Sequence, residues 1–201
     1  MLLTTTVFLL AGLVKGVVGL GLPTLAMALL ALAMPPAQAA ALLILPSLVT
    51  NVWQMRPWPT LAPMTRRLWP MQAGVVAGTL GGAWLLGAPA GAWAMQALGA
   101  ALVVYGLWGL SGARVSQVPA GAERVLGPLV GAVTGLVTAA TGVFVIPAVP
   151  YLQALGLSRD ELVQTMGLSF TVSTVALAAG LMLNGQYSAA ALSGSALMLL
   201  P

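Results

Sequence analysis

Long apolar stretches follow one another along this chain, with few polar residues between them. The stretches near 38–55, 69–87, 91–110 and 162–183 reach the roughly 18–20 residues that cross about 30 Å of hydrocarbon as a helix. They do not alternate polar and apolar residues, as the strands of a membrane β-barrel would. The pattern therefore predicts an all-α polytopic membrane protein.

Two further apolar regions are interrupted. The first divides into pieces at about 2–18 and 22–34, and the second into pieces at about 126–142 and 143–156. A piece of 13 residues extends only about 20 Å as a helix, too short for a full crossing. We expect broken or re-entrant helices in both regions, within a total of about seven or eight membrane segments of which the last could be missing.

Composition and charge agree with a membrane location. Apolar residues make up 60% of the chain and charged residues 5%, far less charge than a soluble domain of this size carries. The seven basic residues, which give a net charge of +4, are scattered and predict membrane topology instead of nucleic-acid binding. We expect the arginine-bearing loops to be cytoplasmic and the protein to lie in the inner membrane.

Several chemistries lack the residues they need. The chain has no cysteine and no histidine, and its three acids, Glu123, Asp160 and Glu161, fall in predicted loops. Thiol redox relays, haem ligation and ordinary zinc sites are therefore excluded, and an intramembrane enzyme would lack a base or nucleophile. We expect a protein that is not an enzyme and holds no cofactor or metal.

A short motif occurs twice along the chain. "GLVKGVVG" at 12–19 matches "GLVTAATG" at 135–142 in four of eight positions, and a proline follows each within five residues, at Pro23 and Pro147. The elements after each copy come in the same order, and the arginines orient the two copies oppositely. We expect two inverted repeats, at 1–110 and 125–201, joined by a cytoplasmic linker at 111–124.

In these glycine–proline segments and in "LVTNVWQ" at 48–54, the chain resembles the TauE/SafE family, also called the toluenesulfonate uptake permeases. The resemblance covers nearly the whole chain. It implies an inner-membrane carrier of two inverted four-helix repeats that moves sulfite, sulfoacetate, other organosulfonates or related small anions, mostly in export. The chain departs from the family in its thinned glycine runs, and it ends about one helix early, so the second repeat is expected to be truncated.

Lys15 is the first candidate for binding the substrate. An ammonium in hydrocarbon costs about 2.5–3.5 kcal/mol on insertion scales, and no predicted span contains a carboxylate to pair with it. Its expected partner is the bound substrate anion. The alternative is that Lys15 extends along its aliphatic stem to the membrane interface.

The glycines next to Lys15 are the second candidates. A backbone break at Gly19 and Gly21 would present N–H groups and a helix N-terminus to an anion, and Thr138, Thr141 and Gly142 would do the same in the second repeat. The alternative is close helix packing through small residues. Packing is the preferred interpretation for two series with glycine at every fourth position, 74/78/82 and 127/131/135.

Neutral polar side chains complete the predicted site. Asn51 and Gln54 lie in the span near 38–55, opposite Thr171 and Thr174 in the corresponding span of the second repeat. Amides and hydroxyls donate to an oxyanion without adding charge. They can equally bond one helix to another, and both interpretations stay open.

The sequence thus predicts a secondary transporter or facilitator for small sulfur-containing anions, with the lipid bilayer and a small anion as its partners. Efflux driven by the membrane potential is expected over proton symport, because no span holds a carboxylate. An anion channel on the same scaffold, a transporter of short carboxylates and a non-transporting membrane subunit remain alternatives. The sequence specifies no oligomeric state.

Overall fold

A computed structural model of the chain describes residues 2–20, 22–87, 89, 91–112, 116–187 and 189–199. This part of the chain is helical and contains no strand. Its helices are α1 (Leu2–Val18), α2 (Leu22–Leu30), α3 (Pro36–Gln54), α4 (Leu61–Leu86), α5 (Gly91–Ser111), α6 (Ala120–Thr141), α7 (Ala148–Gln153), α8 (Arg159–Leu183) and α9 (Ala189–Leu197).

The prediction of an all-helical chain with several apolar spans is confirmed. Among the described helices, α3, α5, α6 and α8 are long and apolar enough to cross a membrane, and α1 is a shorter apolar helix. The predicted total of seven or eight membrane segments stays a prediction.

Polar and apolar side chains are distributed as in a protein surrounded by lipid. Large apolar side chains such as Leu32, Trp84 and Leu110 are more than three-quarters exposed on the outside of the bundle. The interior encloses polar side chains, Lys15 and Asn51 among them. Exposed apolar surface of this extent would aggregate in water, so it indicates a lipid-facing exterior.

Helices α4 and α6 run parallel and are packed backbone to backbone through their glycines. A Cβ added to Gly78 would lie 2.1 Å from the carbonyl oxygen of Ala132, and one added to Gly131 would lie 2.1 Å from that of Met71. No real Cβ makes such a contact, so only glycine allows the two backbones to approach this closely. The packing interpretation of the two glycine series is therefore correct.

Helix α8 joins the two halves of the chain. It runs parallel to α4, where Gln72 donates to the Ser169 hydroxyl at 2.8 Å and Asn184, just beyond α8, donates to the carbonyl of Ala83 at 3.1 Å. It also packs against α3, which runs in the opposite direction. The α3–α8 contact forms one wall of the site described below.

One end of the bundle carries the described arginines, because α4, α6 and α8 are parallel and the α3–α4 connection lies at the same end. We call it the arginine end; its members are Arg56, Arg66, Arg67, Arg124 and Arg159. There Arg67 forms a two-pronged ion pair with Glu123, with Nε to Oε2 at 2.8 Å and Nη2 to Oε1 at 2.5 Å.

The expected positions of the three acids need correction. Glu123 lies in the first turn of α6, and Asp160 and Glu161 lie in the first turn of α8, not in loops. At α8 the reason is a capping box, in which Ser158 N–H donates to the Glu161 carboxylate at 2.9 Å and the Ser158 hydroxyl accepts from Glu161 N–H at 3.4 Å. A helix N-terminus also favours negative charge.

Both predicted interruptions are present, and each begins at a glycine in the left-handed region. Gly19 has φ +75° and donates its N–H to the Lys15 carbonyl at 2.8 Å; Gly142 has φ +72° and donates to the Thr138 carbonyl, also at 2.8 Å. The second interruption is longer than expected. The predicted helical piece at 143–156 contains only the six-residue α7, because residues 143–147 are non-helical between Gly142 and the start of α7.

A proline inside α3 leaves a carbonyl without a partner in its own helix. Pro46 has no N–H to donate to the Leu42 carbonyl, and the Ser195 hydroxyl of α9 donates to that carbonyl instead, at 2.9 Å. The same hydroxyl accepts from Leu45 N–H at 3.0 Å. A side chain near the end of the described chain thus completes the backbone bonding of a helix in the first half.

The α4–α6 contact predicts a sharp difference between two glycines on α4. Gly78→Ala should lower the free energy of unfolding by about 1–3 kcal/mol or more, because its methyl group would force the backbones apart. Gly81→Ala is the matched control, since its Cβ would meet nothing within 4 Å. Thermal unfolding in detergent measures both. Equal melting temperatures for the two variants would contradict the packing described.

Candidate functional site

A cavity of about 500 Å³ lies between α1, α3 and the start of α8. Its size falls within the range of small-molecule sites. The residues that line it are Gly12, Lys15, Gly16, Gly19, Leu22, Val49, Thr50, Trp53, Gln54 and Val163.

Lys15 supplies the only charged side chain of this lining. It is 7% exposed, and its ammonium donates to Oδ1 of Asn51. An ammonium has three N–H donors, so one is used and no described residue takes the other two. The side chain therefore points into the protein. In this conformation its ammonium does not extend to the membrane interface.

Asn51 positions the ammonium from behind the cavity. It is fully buried, and its Nδ2 donates at 3.4 Å to the hydroxyl of Thr174, which donates in turn to the Phe170 carbonyl at 2.7 Å. The chain of donors points away from Lys15 and ends on a backbone carbonyl, so it fixes the amide with its oxygen toward the ammonium. Because Asn51 is neutral, it leaves the positive charge of Lys15 uncancelled.

Gln54 closes the cavity on the side of the backbone break. Its Nε2 donates to the carbonyl of Gly19 at 3.1 Å and to the carbonyl of Val163 at 3.1 Å. The end of α1 is thereby tied to the first turns of α8. The sequence led us to expect backbone N–H groups from this break, whereas the group bound here is a carbonyl at the C-terminal end of α1.

The remaining predicted site residues lie outside the cavity lining. Thr138, Thr141 and Thr171 each donate to the carbonyl four residues earlier in their own helix, at 2.7 Å. Gly142 ends α6 and faces Met27 of α2, whose Cε would lie 3.0 Å from an added Cβ. A role for these residues in binding stays a prediction. Gly21 lies outside the described residues.

Trp53 and Val163 are wall residues that the sequence did not single out. Trp53 is largely exposed, and the guanidinium of Arg56 lies 3.8 Å from the centre of its ring. Val163 contributes both a side chain to the wall and the carbonyl held by Gln54. Their apolar character resembles that of any membrane-facing residue, so no sequence signal distinguishes them.

Nothing in the described residues resembles a metal site, since no three His, Cys, Asp or Glu side chains cluster there. The site thus offers one buried cation, amide groups and apolar walls. That combination can bind a small anion.

The sequence profile of the family described as "Sulfite exporter TauE/SafE" matches residues 4–201, essentially the whole chain. The chain belongs to the TauE/SafE sulfite exporter family. Comparisons with curated proteins and with solved structures each gave no significant match. Membership of the TauE/SafE family, together with the apolar helices, makes the chain a multi-pass membrane protein of a transporter family whose cargo is a sulfur-containing anion.

The Lys15–Asn51 contact yields a prediction about stability. Asn51→Leu should lower the free energy of unfolding by about 1–3 kcal/mol, because the buried ammonium loses its acceptor. Adding Lys15→Met should restore much of that loss, since an apolar pair of similar volume replaces the buried polar pair. Thr174→Val is a milder control, expected to cost about 0.6 kcal/mol.

Thermal unfolding in detergent of the wild type, Asn51→Leu, Lys15→Met and the double variant completes a double-mutant cycle. A single Asn51→Leu variant as stable as the wild type would contradict the contact, because it would mean that Lys15 reaches another acceptor or the interface.

Proposed function

We propose that this chain is a secondary transporter or facilitator that exports a small sulfur-containing oxyanion across the inner membrane, and that the cavity at Lys15 binds it. The observation that carries the proposal is a buried ammonium whose described partner is a neutral amide. A counter-ion stabilises the charged form of a buried lysine, and a substrate anion would serve as one.

The cavity walls favour a sulfonate that bears an organic group over inorganic sulfite. Leu22, Val49, Trp53 and Val163 surround the single ammonium with apolar surface. A sulfonate head group would accept hydrogen bonds from the two N–H groups of Lys15 that no described residue uses. Its carbon chain would contact the apolar walls. The volume of about 500 Å³ leaves room for both parts.

A second cavity supports a path between the site and the arginine end. It measures about 480 Å³, is lined by Arg56, Thr60 and Gln164 together with the carboxylates of Asp160 and Glu161, and shares Val163 with the cavity at Lys15. The arginine end would face the cytoplasm under the positive-inside tendency. An anion leaving the cell would then enter through this second cavity, and the Gln54–Val163 hydrogen bond would separate it from the binding site.

Corresponding features of the two halves support inverted repeats at 1–110 and 125–201, with 111–124 as the linker. In the alignment of the two glycine motifs, Gly19 corresponds to Gly142 and Lys15 to Thr138. Both glycines adopt a left-handed φ and donate to the carbonyl of the corresponding residue. Helix contacts also correspond, since α3 packs on α9 as α8 packs on α4. A site beside one such break is the arrangement that inverted-repeat carriers use.

Lys15 variants test the site. In proteoliposomes, Lys15→Met should reduce efflux of a small organosulfonate by about 10–100-fold, the loss expected for one charged hydrogen bond of about 1.5–3 kcal/mol. Lys15→Arg keeps the charge and should retain part of the flux. The efflux rate of sulfite, measured in the same proteoliposomes, shows which of the two anions the protein transports faster. Undiminished flux through a correctly folded Lys15→Met protein would overturn the assignment of the site.

The energy source gives a separate prediction. No carboxylate of the described residues contacts Lys15, so efflux should follow the membrane potential, which contributes about 2.3 kcal/mol per charge per 100 mV. A potassium gradient with valinomycin sets the membrane potential. The efflux rate should rise with this potential and stay constant when only the pH gradient changes. Efflux that tracked the pH gradient alone would refute potential-driven export, and single-channel currents would indicate a channel.

A further inference from the structure

A third cavity lies at the arginine end, apart from the transport site. It measures about 330 Å³ and lies between the second and third turns of α4 and the first two turns of α6, which runs parallel to α4. The residues that line it are Arg66, Arg67, Trp69, Pro70, Glu123 and Arg124. Three guanidinium groups therefore share a small space with one carboxylate.

The charges of this cavity do not cancel. Glu123 is bound to Arg67 through both of its oxygens, and Arg67 also donates to the Leu155 carbonyl at 3.1 Å. Among the residues that the structure describes, neither Arg66 nor Arg124 forms an ion pair. Two positive charges thus remain on side chains that are exposed toward the cavity mouth.

The two remaining positive charges lie close to one another. Arg66 is in the second turn of α4 and Arg124 in the second turn of α6, and both side chains line the same cavity. A bound anion would relieve the repulsion between these like charges, and it would be held by charge-assisted hydrogen bonds from planar guanidinium groups.

The surroundings indicate which anion. Trp69 lines the cavity and is 61% exposed, and tryptophan is the side chain enriched at the level of lipid head groups. In the turns that follow, Val76 on α4 and Val125 and Leu129 on α6 are exposed and apolar. A ligand with a phosphate head and acyl chains matches this succession of charge, aromatic ring and apolar surface.

We propose that this cavity binds the head group of an anionic phospholipid, with Arg66 and Arg124 holding the phosphate, Trp69 at the glycerol level and the acyl chains along α4 and α6. Bound lipid would also join the first turns of the two helices, whose glycine contact begins one to two turns further along. This site is independent of the transport proposal.

Native mass spectrometry of the full chain, titrated with phosphatidylglycerol or phosphatidylcholine, tests the proposal. The wild type should bind phosphatidylglycerol selectively, and Arg66→Gln/Arg124→Gln should weaken that binding at least about tenfold. Arg56→Gln/Arg159→Gln is the matched control, because it removes the same charge from the same end without touching the cavity. Equal weakening by the two double variants would overturn the proposal, since binding would then depend on overall charge.

Two further arms identify the ligand and check the fold. Inorganic phosphate added in excess should leave phosphatidylglycerol bound; complete displacement would assign the cavity to a free anion and refute the lipid. Phosphatidylglycerol with brominated acyl chains should quench tryptophan fluorescence more in the wild type than in Trp69→Phe. An identical degree of quenching in both would contradict lipid at this cavity.

Because Arg66 and Arg124 are exposed, their variants should keep the wild-type melting temperature in lipid-free detergent.

Discussion

The backbone of a membrane protein has no water to bond in hydrocarbon, and two interruptions of the described helices show how this fold meets that constraint. At the first break, Gly19 uses its N–H to close α1, and Gln54 donates to its carbonyl. At the proline inside α3, Ser195 takes over the carbonyl that Pro46 cannot reach. Gln54 also donates to the Val163 carbonyl, and Ser195 lies 153 positions from Leu42, so both side chains connect the two halves of the protein.

The same constraint explains how the bundle holds together. Between helices surrounded by lipid, the hydrophobic effect contributes little, and close van der Waals contact must replace it. The glycines of α4 and α6 bring two backbones into direct contact, as the 2.1 Å clash of a Cβ on Gly78 demonstrates. Hydrogen bonds such as the one from Gln72 to Ser169 fix the orientation of α8 against α4. Rigid packing on that side leaves the cavity on the side of α1 and α3, where glycines have open space around them.

The sequence predicted what depends on local pattern. Apolar runs indicated the helices, glycine spacing indicated that the helices now seen as α4 and α6 pack closely against neighbours, and the motif ending at Gly19 indicated the break after α1. It could not predict contacts between residues far apart in the chain. The hydrogen bond between Lys15 and Asn51, which lie 36 positions apart, was not among the sequence predictions. Gln164 was one of several isolated glutamines in the sequence, and only folding brings its amide within 2.8 Å of the Met55 carbonyl.

The first and last turns of helices were the least predictable, because capping depends on single side chains. Charged residues were expected in loops, yet Glu123, Asp160 and Glu161 all belong to first helical turns. Because these carboxylates belong to helices and not to loops, their positions are fixed relative to the neighbouring side chains. Glu123 is held where it neutralises Arg67, at the arginine end.

Two basic side chains of this protein show how the choice of partner determines what a charge can do. Arg67 is bound by a carboxylate, so the pair is neutral and its field is local. Lys15 is bound by the oxygen of a buried amide, which orients the amino group toward the cavity and adds no opposing charge. Replacing that amide with a carboxylate would stabilise the lysine better and would remove the attraction for an anion. A neutral partner is therefore the arrangement under which a buried cation stays available to an anion, so in the proposed site Asn51 is as necessary as Lys15.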